Sequence, residues 1–136
     1  MSLDKVKLIE LPKILDDRGN LSFLEENNHI PFKIQRAYWI YDVPGGEERG
    51  GHSYHSNQEF IIALSGSFDV VLNDGFNQKV FSLNRSYVGL YVPNQIWRNM
   101  NNFSTNSLAF IVASTVFDES DYERNFEKFK LNGKYI

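Results

Sequence analysis

The fold is decided by the stretch Arg49-Gly50-Gly51-His52-Ser53-Tyr54-His55-Ser56-Asn57-Gln58-Glu59, which is followed after six further residues by Gly66. Its two adjacent glycines allow the backbone to turn tightly into a strand. Successive residues of a strand face opposite sides, so His52 and Tyr54 share one face while His55 lies on the other. We therefore expect a glycine-rich strand entrance that presents an imidazole and a phenol to the same side.

Short apolar runs separated by turn signals continue on both sides of this stretch, with a period of about ten residues for each strand and turn. No long helical pattern interrupts them, which argues against a parallel α/β sheet. We expect a turn at 16–20 between the first two strands, a tight hairpin at 65–67 and another turn at 73–75. The expected strands are 6–11, 21–25, 34–43, 59–64, 68–73, 79–83, 88–92, 96–100 and 108–113.

The C-terminal segment has a different pattern. Ser120 and Glu123 form a capping-box pair, and the aromatic residues that follow recur on one helical face. Gly133 provides a stop signal. We predict one amphipathic helix over about 120–132, packed on an all-β barrel of the jelly-roll type.

Size and composition limit the possible functions. The 136 residues are enough for a single domain, 1–136, with one core. A formal charge of −3 argues against a nucleic-acid partner. No apolar run is long enough to span a membrane, and the N-terminus lacks a secretory signal. Cysteine is absent, which favours a cytoplasmic protein without thiolate chemistry.

Several side chains have both a chemical and a structural interpretation. A histidine beside a phenol can move protons, and the guanidinium of Arg49 suits phosphate oxygens. Tyr54 and Tyr38 could instead pack inside a barrel. Arg98 could bind a ligand or pair with Glu59.

Both motifs of the cupin superfamily are matched in spacing. The first motif, G-x5-H-x-H-x3-4-E-x6-G, corresponds to His52-Ser53-Tyr54, four residues, Glu59, six residues and Gly66. The second, G-x5-P-x-G-x2-H-x3-N, corresponds to Pro93-Asn94-Gln95, two residues, Arg98, three residues and Asn102. The chain therefore resembles a cupin, and this resemblance implies a cupin β-barrel.

A longer ordered set of segments carries a more specific resemblance. These segments are Asp17-Arg18-Gly19-Asn20-Leu21, Arg36-Ala37-Tyr38-Trp39-Ile40-Tyr41-Asp42, Arg49-Gly50-Gly51-His52, Leu64-Ser65-Gly66-Ser67, Asp74-Gly75, Val88-Gly89-Leu90-Tyr91-Val92, Trp97 and Phe117-Asp118-Glu119-Ser120-Asp121-Tyr122. In them the chain resembles the sugar 3,4-ketoisomerases that act on dTDP-4-keto-6-deoxyglucose. This resemblance implies a homodimer that binds a dTDP-linked ketosugar and uses no cofactor, and the N-terminal strands could cross to the partner barrel.

Two positions depart from the resembled family. Tyr54 stands where the family typically has a second histidine, and Arg98 stands where it tends to have a third. A cupin metal site would use these histidines together with the glutamate. Because Arg98 would repel a divalent ion, we expect no metal.

The resulting hypothesis is an isomerase that moves a ketone between C4 and C3 by enolisation, for synthesis of a deoxysugar of a surface polysaccharide. His52 would be the base, and Tyr54 or Tyr38 would donate to the enediol. The expected substrate-binding residues are Arg49, which would hold the pyrophosphate, Arg36, Arg98, Glu59 and Trp97, which could stack on a base or pack in the core. A catalytically silent nucleotide-sugar-binding cupin and an epimerase of the same substrates are the alternatives.

Overall fold

The computed structural model describes residues 2–134, which form twelve strands, two short 3₁₀ turns and one α-helix. No helix in this part of the chain is long and apolar enough to cross a membrane. The elements are β1 (Lys7–Glu10), β2 (Lys13–Ile14), β3 (Leu21–Ser22), β4 (Arg36–Tyr41), β5 (Arg49–Tyr54), β6 (Glu59–Ser65), β7 (Phe68–Asn73), β8 (Gln78–Leu83), β9 (Val88–Val92), β10 (Trp97–Asn101), β11 (Leu108–Ala113), β12 (Tyr122–Glu123) and α1 (Phe126–Lys134).

Two five-stranded antiparallel sheets make up the barrel. One sheet has the strand order β1-β9-β6-β11-β4, and the other has the order β12-β5-β10-β7-β8. Buried side chains from both sheets meet in one apolar cluster, and a second cluster includes Phe60, Ile62 and Val112. The all-β jelly-roll barrel expected from the sequence is thus confirmed. Among the described strands, β2 and β3 pair only with each other.

The barrel interior has two chemically different parts. In the first, which we call the apolar half, Phe68, Val70 and Leu72 of β7 alternate inward, and they are joined by Leu90 and Met100. These side chains are at most 1% exposed, as the alternation of β7 predicts. The second part is an open cavity, described below, which we call the cavity half.

Two of the turns differ from the sequence interpretation. The prediction of a hairpin at 65–67 is wrong, because β6 and β7 belong to different sheets and do not pair. Gly66 has φ of 65°, and a Cβ there would lie 2.4 Å from the Ser104 hydroxyl, so the glycine serves a crossing between sheets. The turn at 16–20 joins β3 to the short strand β2 rather than to β1. The turn at 73–75 does form a hairpin, between β7 and β8.

The C-terminal helix is shorter at its start than the predicted 120–132. Asp118 caps a 3₁₀ turn by accepting the Ser120 N–H at 3.0 Å, and β12 then pairs with β5. The helix begins only at Phe126, because Asn125 is its N-cap and accepts the Lys128 N–H at 3.0 Å. The expected capping box is therefore replaced by a local cap on a different turn.

Candidate active site

A cavity of about 470 Å³ opens in the cavity half of the barrel. Cavities of this size accommodate small organic ligands. Most of the site residues expected from the sequence come together here, whereas Glu59 and Trp97 do not line the cavity. Its wall is formed by Arg36, Tyr38, Trp39, Ile40, Arg49, Gly50, His52, Tyr54, Arg98, Phe117, Tyr122 and Arg124.

The glycine pair of β5 determines where His52 points. Gly50 and Gly51 have φ of 107° and 77°, and the pairing of β5 with β10 shifts register beside them. A Cβ on Gly50 would lie 3.2 Å from the Arg98 carbonyl oxygen, so the close approach of the strands favours glycine. This local bulge pairs His52 directly with Arg98 and turns both side chains into the barrel.

His52 lies deep in the cavity and is 9% exposed. Its ring centre is 4.9 Å from that of Tyr54 and 5.0 Å from that of Tyr122. Burial, assisted by the positive charge of Arg98, lowers the pKa of His52 from 6.5 to about 3. The ring is therefore neutral at physiological pH, and its buried Nε2 has no hydrogen-bond partner within residues 2–134. A neutral imidazole with a free ring nitrogen can accept a proton from a ligand.

Tyr54 keeps its proton in this environment. Its hydroxyl lies 3.4 Å from Glu59 Oε2 and 3.4 Å from the Tyr122 hydroxyl. Burial raises the pKa of Tyr54 above its usual value, although the charge of Arg98 opposes the shift. A phenol that stays protonated can donate a hydrogen bond to a developing oxyanion.

An ion pair between Glu59 and Arg98 lies at the base of the cavity, where the two side chains are 1% and 2% exposed. Glu59 also accepts a hydrogen bond from the Tyr38 hydroxyl through Oε2. Arg98 thus forms the pair with Glu59 that was one of its two interpretations from the sequence. Arg98 also lines the cavity and lies 3.4 Å from the Tyr38 hydroxyl through Nη1. Glu59 itself does not line the cavity and lies behind the side chains that do.

Positive charge surrounds the cavity mouth. Arg49 is exposed, and the guanidinium of Arg36 lies over the rings of Tyr38 and Phe117, at 5.5 Å and 5.7 Å. Arg124 pairs with a carboxylate, that of Glu119, at 2.9 Å. Guanidinium groups at the rim of a cleft provide a field and donors suited to a phosphate-bearing ligand.

Trp97 lies away from these groups. Its ring packs on α1, with centroid distances of 5.1 Å to Phe126 and 5.7 Å to Phe129. Trp97 therefore packs against the helix, in line with the core interpretation, and this geometry gives no support to stacking on a substrate.

Three further side chains that line the cavity, Tyr122, Arg124 and Phe117, are not among the site residues predicted from the sequence. The helix predicted over about 120–132 includes Tyr122, yet this residue lies on β12 and pairs with Tyr54 of β5. The available signal was the resemblance over residues 117–122, which placed this segment among the matching ones without assigning it a role. Pairing between distant strands is not encoded in local periodicity, so the helical interpretation concealed this wall of the cavity.

A metal has little to bind in the cavity. Within residues 2–134 no cluster of three or more His, Cys, Asp or Glu side chains is found. The two potential ligands that remain from the cupin pattern are His52 and Glu59, and the guanidinium of Arg98 is paired with the latter. This donor set does not suit a divalent cation.

Known proteins resemble this chain over nearly its whole length. The family model FdtA, WxcM-like, C-terminal, matches residues 4–134. A TDP-4-oxo-6-deoxy-alpha-D-glucose-3,4-oxoisomerase of Aneurinibacillus thermoaerophilus is 41% identical over 130 residues, which are 96% of this chain and 91% of that protein.

Solved structures give the same result. A 3,4-ketoisomerase from Helicobacter canadensis has a TM-score of 0.93 and 35% identity, covering 96% of this chain and 98% of its own. QdtA from Thermoanaerobacterium thermosaccharolyticum, as a histidine-to-asparagine variant in complex with TDP-4-keto-6-deoxyglucose, has a TM-score of 0.95 and 34% identity, covering 98% of this chain and 97% of its own. Together with the matching fold, these findings show that the chain belongs to the WxcM-like FdtA family of cupin-fold sugar 3,4-ketoisomerases.

Proposed function

We propose that this protein is an isomerase that moves the ketone of a dTDP-linked 4-keto-6-deoxyhexose between C4 and C3. The observation that carries this proposal is the neutral His52 ring, with a free Nε2, inside a cavity whose mouth bears arginines. Membership of the ketoisomerase family supplies the substrate class, since one relative is solved with TDP-4-keto-6-deoxyglucose.

The chemistry requires a base, an acid and a positioned sugar. A ketone at C4 acidifies the hydrogen on C3, and His52 Nε2 is the base that removes it. Phenol donors such as Tyr38 and Tyr54 stabilise the enolate oxygen, and Arg49 holds the diphosphate outside. Each positioned acid or base contributes on the order of 10²–10⁴ in rate.

The low pKa of His52 belongs to the ligand-free cavity. A pKa of about 3 keeps the ring unprotonated, but it also makes the ring a weak base. Burial is the largest cause of this shift, and the charges of Arg98 and Arg124 add to it. A diphosphate bound at the cavity would bring negative charge toward exposed Arg124, which lines the cavity together with Arg49. We therefore expect substrate binding to raise the pKa of His52 and to strengthen the base when it is needed.

One observation favours a second candidate function. Tyr54 occupies the place where the resembled family typically has a histidine, so a catalytically silent binder of nucleotide sugars is the alternative. An epimerase would use the same enolate but return the proton to the other face of the sugar.

The position of the carbonyl carbon distinguishes these functions. TDP-4-keto-6-deoxyglucose labelled with ¹³C is incubated with the protein in deuterated water and followed by NMR. We expect the carbonyl signal to move from C4 to C3. Deuterium incorporation with inversion and a stationary carbonyl would instead show an epimerase, and binding without exchange would show the silent protein.

We also propose that the protein is a cytoplasmic homodimer serving deoxysugar synthesis for a surface polysaccharide. The two-stranded sheet β2–β3 has no further strand partner among the described residues, and such a sheet is marginally stable alone in water. It carries exposed apolar side chains at Ile14, Leu15 and Leu21. Exposed apolar clusters of this kind are typical of interfaces, and a second copy of the chain would cover them. The chain has no cysteine, so its stability does not depend on an oxidising compartment.

Sedimentation velocity tests the dimer. Leu15 is 73% exposed on the β2–β3 segment, and Phe76 is 67% exposed at the β7–β8 turn. We expect Leu15→Asp to shift the protein toward the monomer and the control Phe76→Asp to leave it dimeric. A wild-type protein that sediments as a monomer would contradict the proposal.

A further inference from the structure

The proposed isomerisation moves two hydrogens, and His52 accounts for only one of them. Conversion of a 4-ketone with a 3-hydroxyl into a 3-ketone with a 4-hydroxyl transfers a hydrogen from C3 to C4. It also transfers a hydroxyl proton from O3 to O4. A base that faces the carbon-bound hydrogen cannot at the same moment take a proton from one oxygen and supply another. The second transfer therefore needs its own groups.

Three side chains beside His52 have the arrangement that this second transfer requires. The Tyr38 hydroxyl donates to Oε2 of Glu59, and the Tyr54 hydroxyl lies within 3.4 Å of the same oxygen atom, as far as it lies from the Tyr122 hydroxyl. Both phenols line the cavity, whereas Glu59 is buried behind them and is 1% exposed. Two proton-bearing groups that face the ligand are thus joined through one acceptor that the ligand cannot reach.

The other carboxylate oxygen of Glu59 is engaged separately. Its Oε1 pairs with the guanidinium of Arg98, which is 2% exposed. This pairing holds the carboxylate in place and directs Oε2 toward the two phenols. Replacing a buried ion pair by apolar side chains is often neutral or favourable for stability, so stability alone is a weak reason for this arrangement.

We propose that Tyr38, Glu59 and Tyr54 form a proton relay that carries the hydroxyl proton of the bound sugar from O3 to O4. The proposal rests on the ketoisomerase function proposed above. It also gives a role to Tyr54, which stands where the resembled family typically has a second histidine.

The relay is balanced in protons and charge. With the ketosugar bound, one phenol turns its hydrogen from Glu59 to O4. As His52 removes the C3 hydrogen, this phenol gives its proton to O4 and takes one from Glu59. Glu59 has received that proton from the other phenol, which in turn takes the proton of O3. His52 then returns its proton to C4, and every group regains its starting state.

Hydrogen exchange separates the two transfers. Wild type, Tyr38→Phe and Tyr54→Phe are incubated with TDP-4-keto-6-deoxyglucose in deuterated water. NMR measures both deuterium entering C3 of the remaining substrate and formation of the 3-ketone. Without the relay, an enolate still forms at His52 and returns to the 4-ketone. We therefore expect the ratio of C3 exchange to isomerisation to rise by about tenfold or more in each variant.

Controls separate this effect from a general loss of structure. Tyr91 is a buried phenol that bonds Gln58 outside the cavity, so Tyr91→Phe removes a comparable hydroxyl and is expected to leave the ratio unchanged. Glu59→Gln, which keeps the side-chain size, is expected to raise the ratio as the phenylalanine variants do.

The outcomes distinguish the relay from the function on which it rests. Wild type that isomerises, with phenylalanine variants whose exchange and isomerisation fall in parallel or stay unchanged, would overturn the relay and leave the isomerase intact. Wild type that neither exchanges nor isomerises would overturn the proposed function, and the relay with it.

Discussion

The apolar half of the barrel and the cavity half share the strand β10 but differ in what it turns inward. Met100 points into the apolar cluster and Arg98 into the cavity, and Arg98 Nη2 lies 3.3 Å from the Met100 sulfur. In the apolar half, burial alone stabilises each side chain. In the cavity half, buried Arg98 is paired with Glu59, whereas His52 Nε2 has no hydrogen-bond partner in the part of the chain that the structure describes.

The difference indicates which half of the barrel carries the chemistry. Buried polar groups in proteins are nearly always hydrogen-bonded, and an exception calls for a functional explanation. Among the described residues, the exceptions on side chains that line the cavity are His52 Nε2 and the Nε atoms of Arg36 and Arg98. We therefore expect the two halves to respond separately to substitution.

The largest expected effect is on turnover. We expect His52→Asn to lower the rate of 3-ketone formation by about 10²–10⁴-fold, because the base is removed, while affinity for TDP is retained. Steady-state kinetics with TDP-4-keto-6-deoxyglucose and calorimetric TDP titration measure the two quantities. Leu72→Ala in the apolar half is the control, and the folded fraction of this variant should keep its turnover. An unchanged rate in His52→Asn would remove the residue from the mechanism.

The next largest effect is on stability at the boundary of the two halves. Arg98→Met leaves the Glu59 carboxylate buried without its cation, which we expect to destabilise the fold by about 3–5 kcal/mol. Leu72→Ala, which leaves an apolar space, is expected to lose about 2–5 kcal/mol. Urea denaturation measures both.

A double variant separates the cost of an unpaired charge from a loss of packing. If the charge is the cause, Glu59→Leu combined with Arg98→Met should be more stable than Arg98→Met alone. A double variant at least as unstable as the single one would mean that the ion pair itself stabilises this half.

A smaller effect is expected at the cavity mouth. Arg49 is exposed, so Arg49→Gln should leave the free energy of unfolding within about 0.5 kcal/mol of wild type. Loss of a hydrogen bond between charged groups should weaken TDP binding by about tenfold. Calorimetric titration measures this affinity, with Lys79→Gln on the outside of β8 as a control. Equal affinity in Arg49→Gln and the control would exclude a role in holding the pyrophosphate.

The smallest effect concerns pH. The pKa of His52 falls from 6.5 to about 3 on folding, so between these values the unfolded chain binds more protons than the native protein. Above pH 6.5 the low pKa of His52 costs the native protein no stability, because the ring is neutral in both states. As the pH falls from 6.5 toward 3, the unfolded chain takes up the proton and the free energy of unfolding decreases progressively. We expect His52→Asn to lose less stability than wild type between pH 7 and pH 5, as measured by urea midpoints. Identical losses would contradict the depressed pKa.

The sequence predicted the barrel because its strands have local signals. Alternation and turn residues placed β7, β9 and β11 with their observed bounds. The β6–β7 hairpin was wrong, since a glycine turn can join paired strands or strands of different sheets, and only tertiary pairing decides which. The helix start was wrong for a related reason, because Ser120 lies in a turn that Asp118 caps.

The site was predictable where residues of one strand share a face, as His52 and Tyr54 do. Contacts made between distant strands could not be derived in this way. Tyr122 enters the site through pairing of β12 with β5, and Glu59 lies behind the wall because Tyr38 and Arg98 converge on it. These relations depend on the register of three or more strands, which local sequence patterns do not specify.

The central claim is that a carbon-bound hydrogen of the sugar lies against His52 inside the cavity. It is tested most directly by a crystal structure of His52→Asn with TDP-4-keto-6-deoxyglucose. We expect the diphosphate beside Arg49 and the sugar C3 within about 3–3.5 Å of the position that His52 Nε2 occupies in wild type. A sugar bound outside the barrel, or one with C3 turned away from residue 52, would contradict the account.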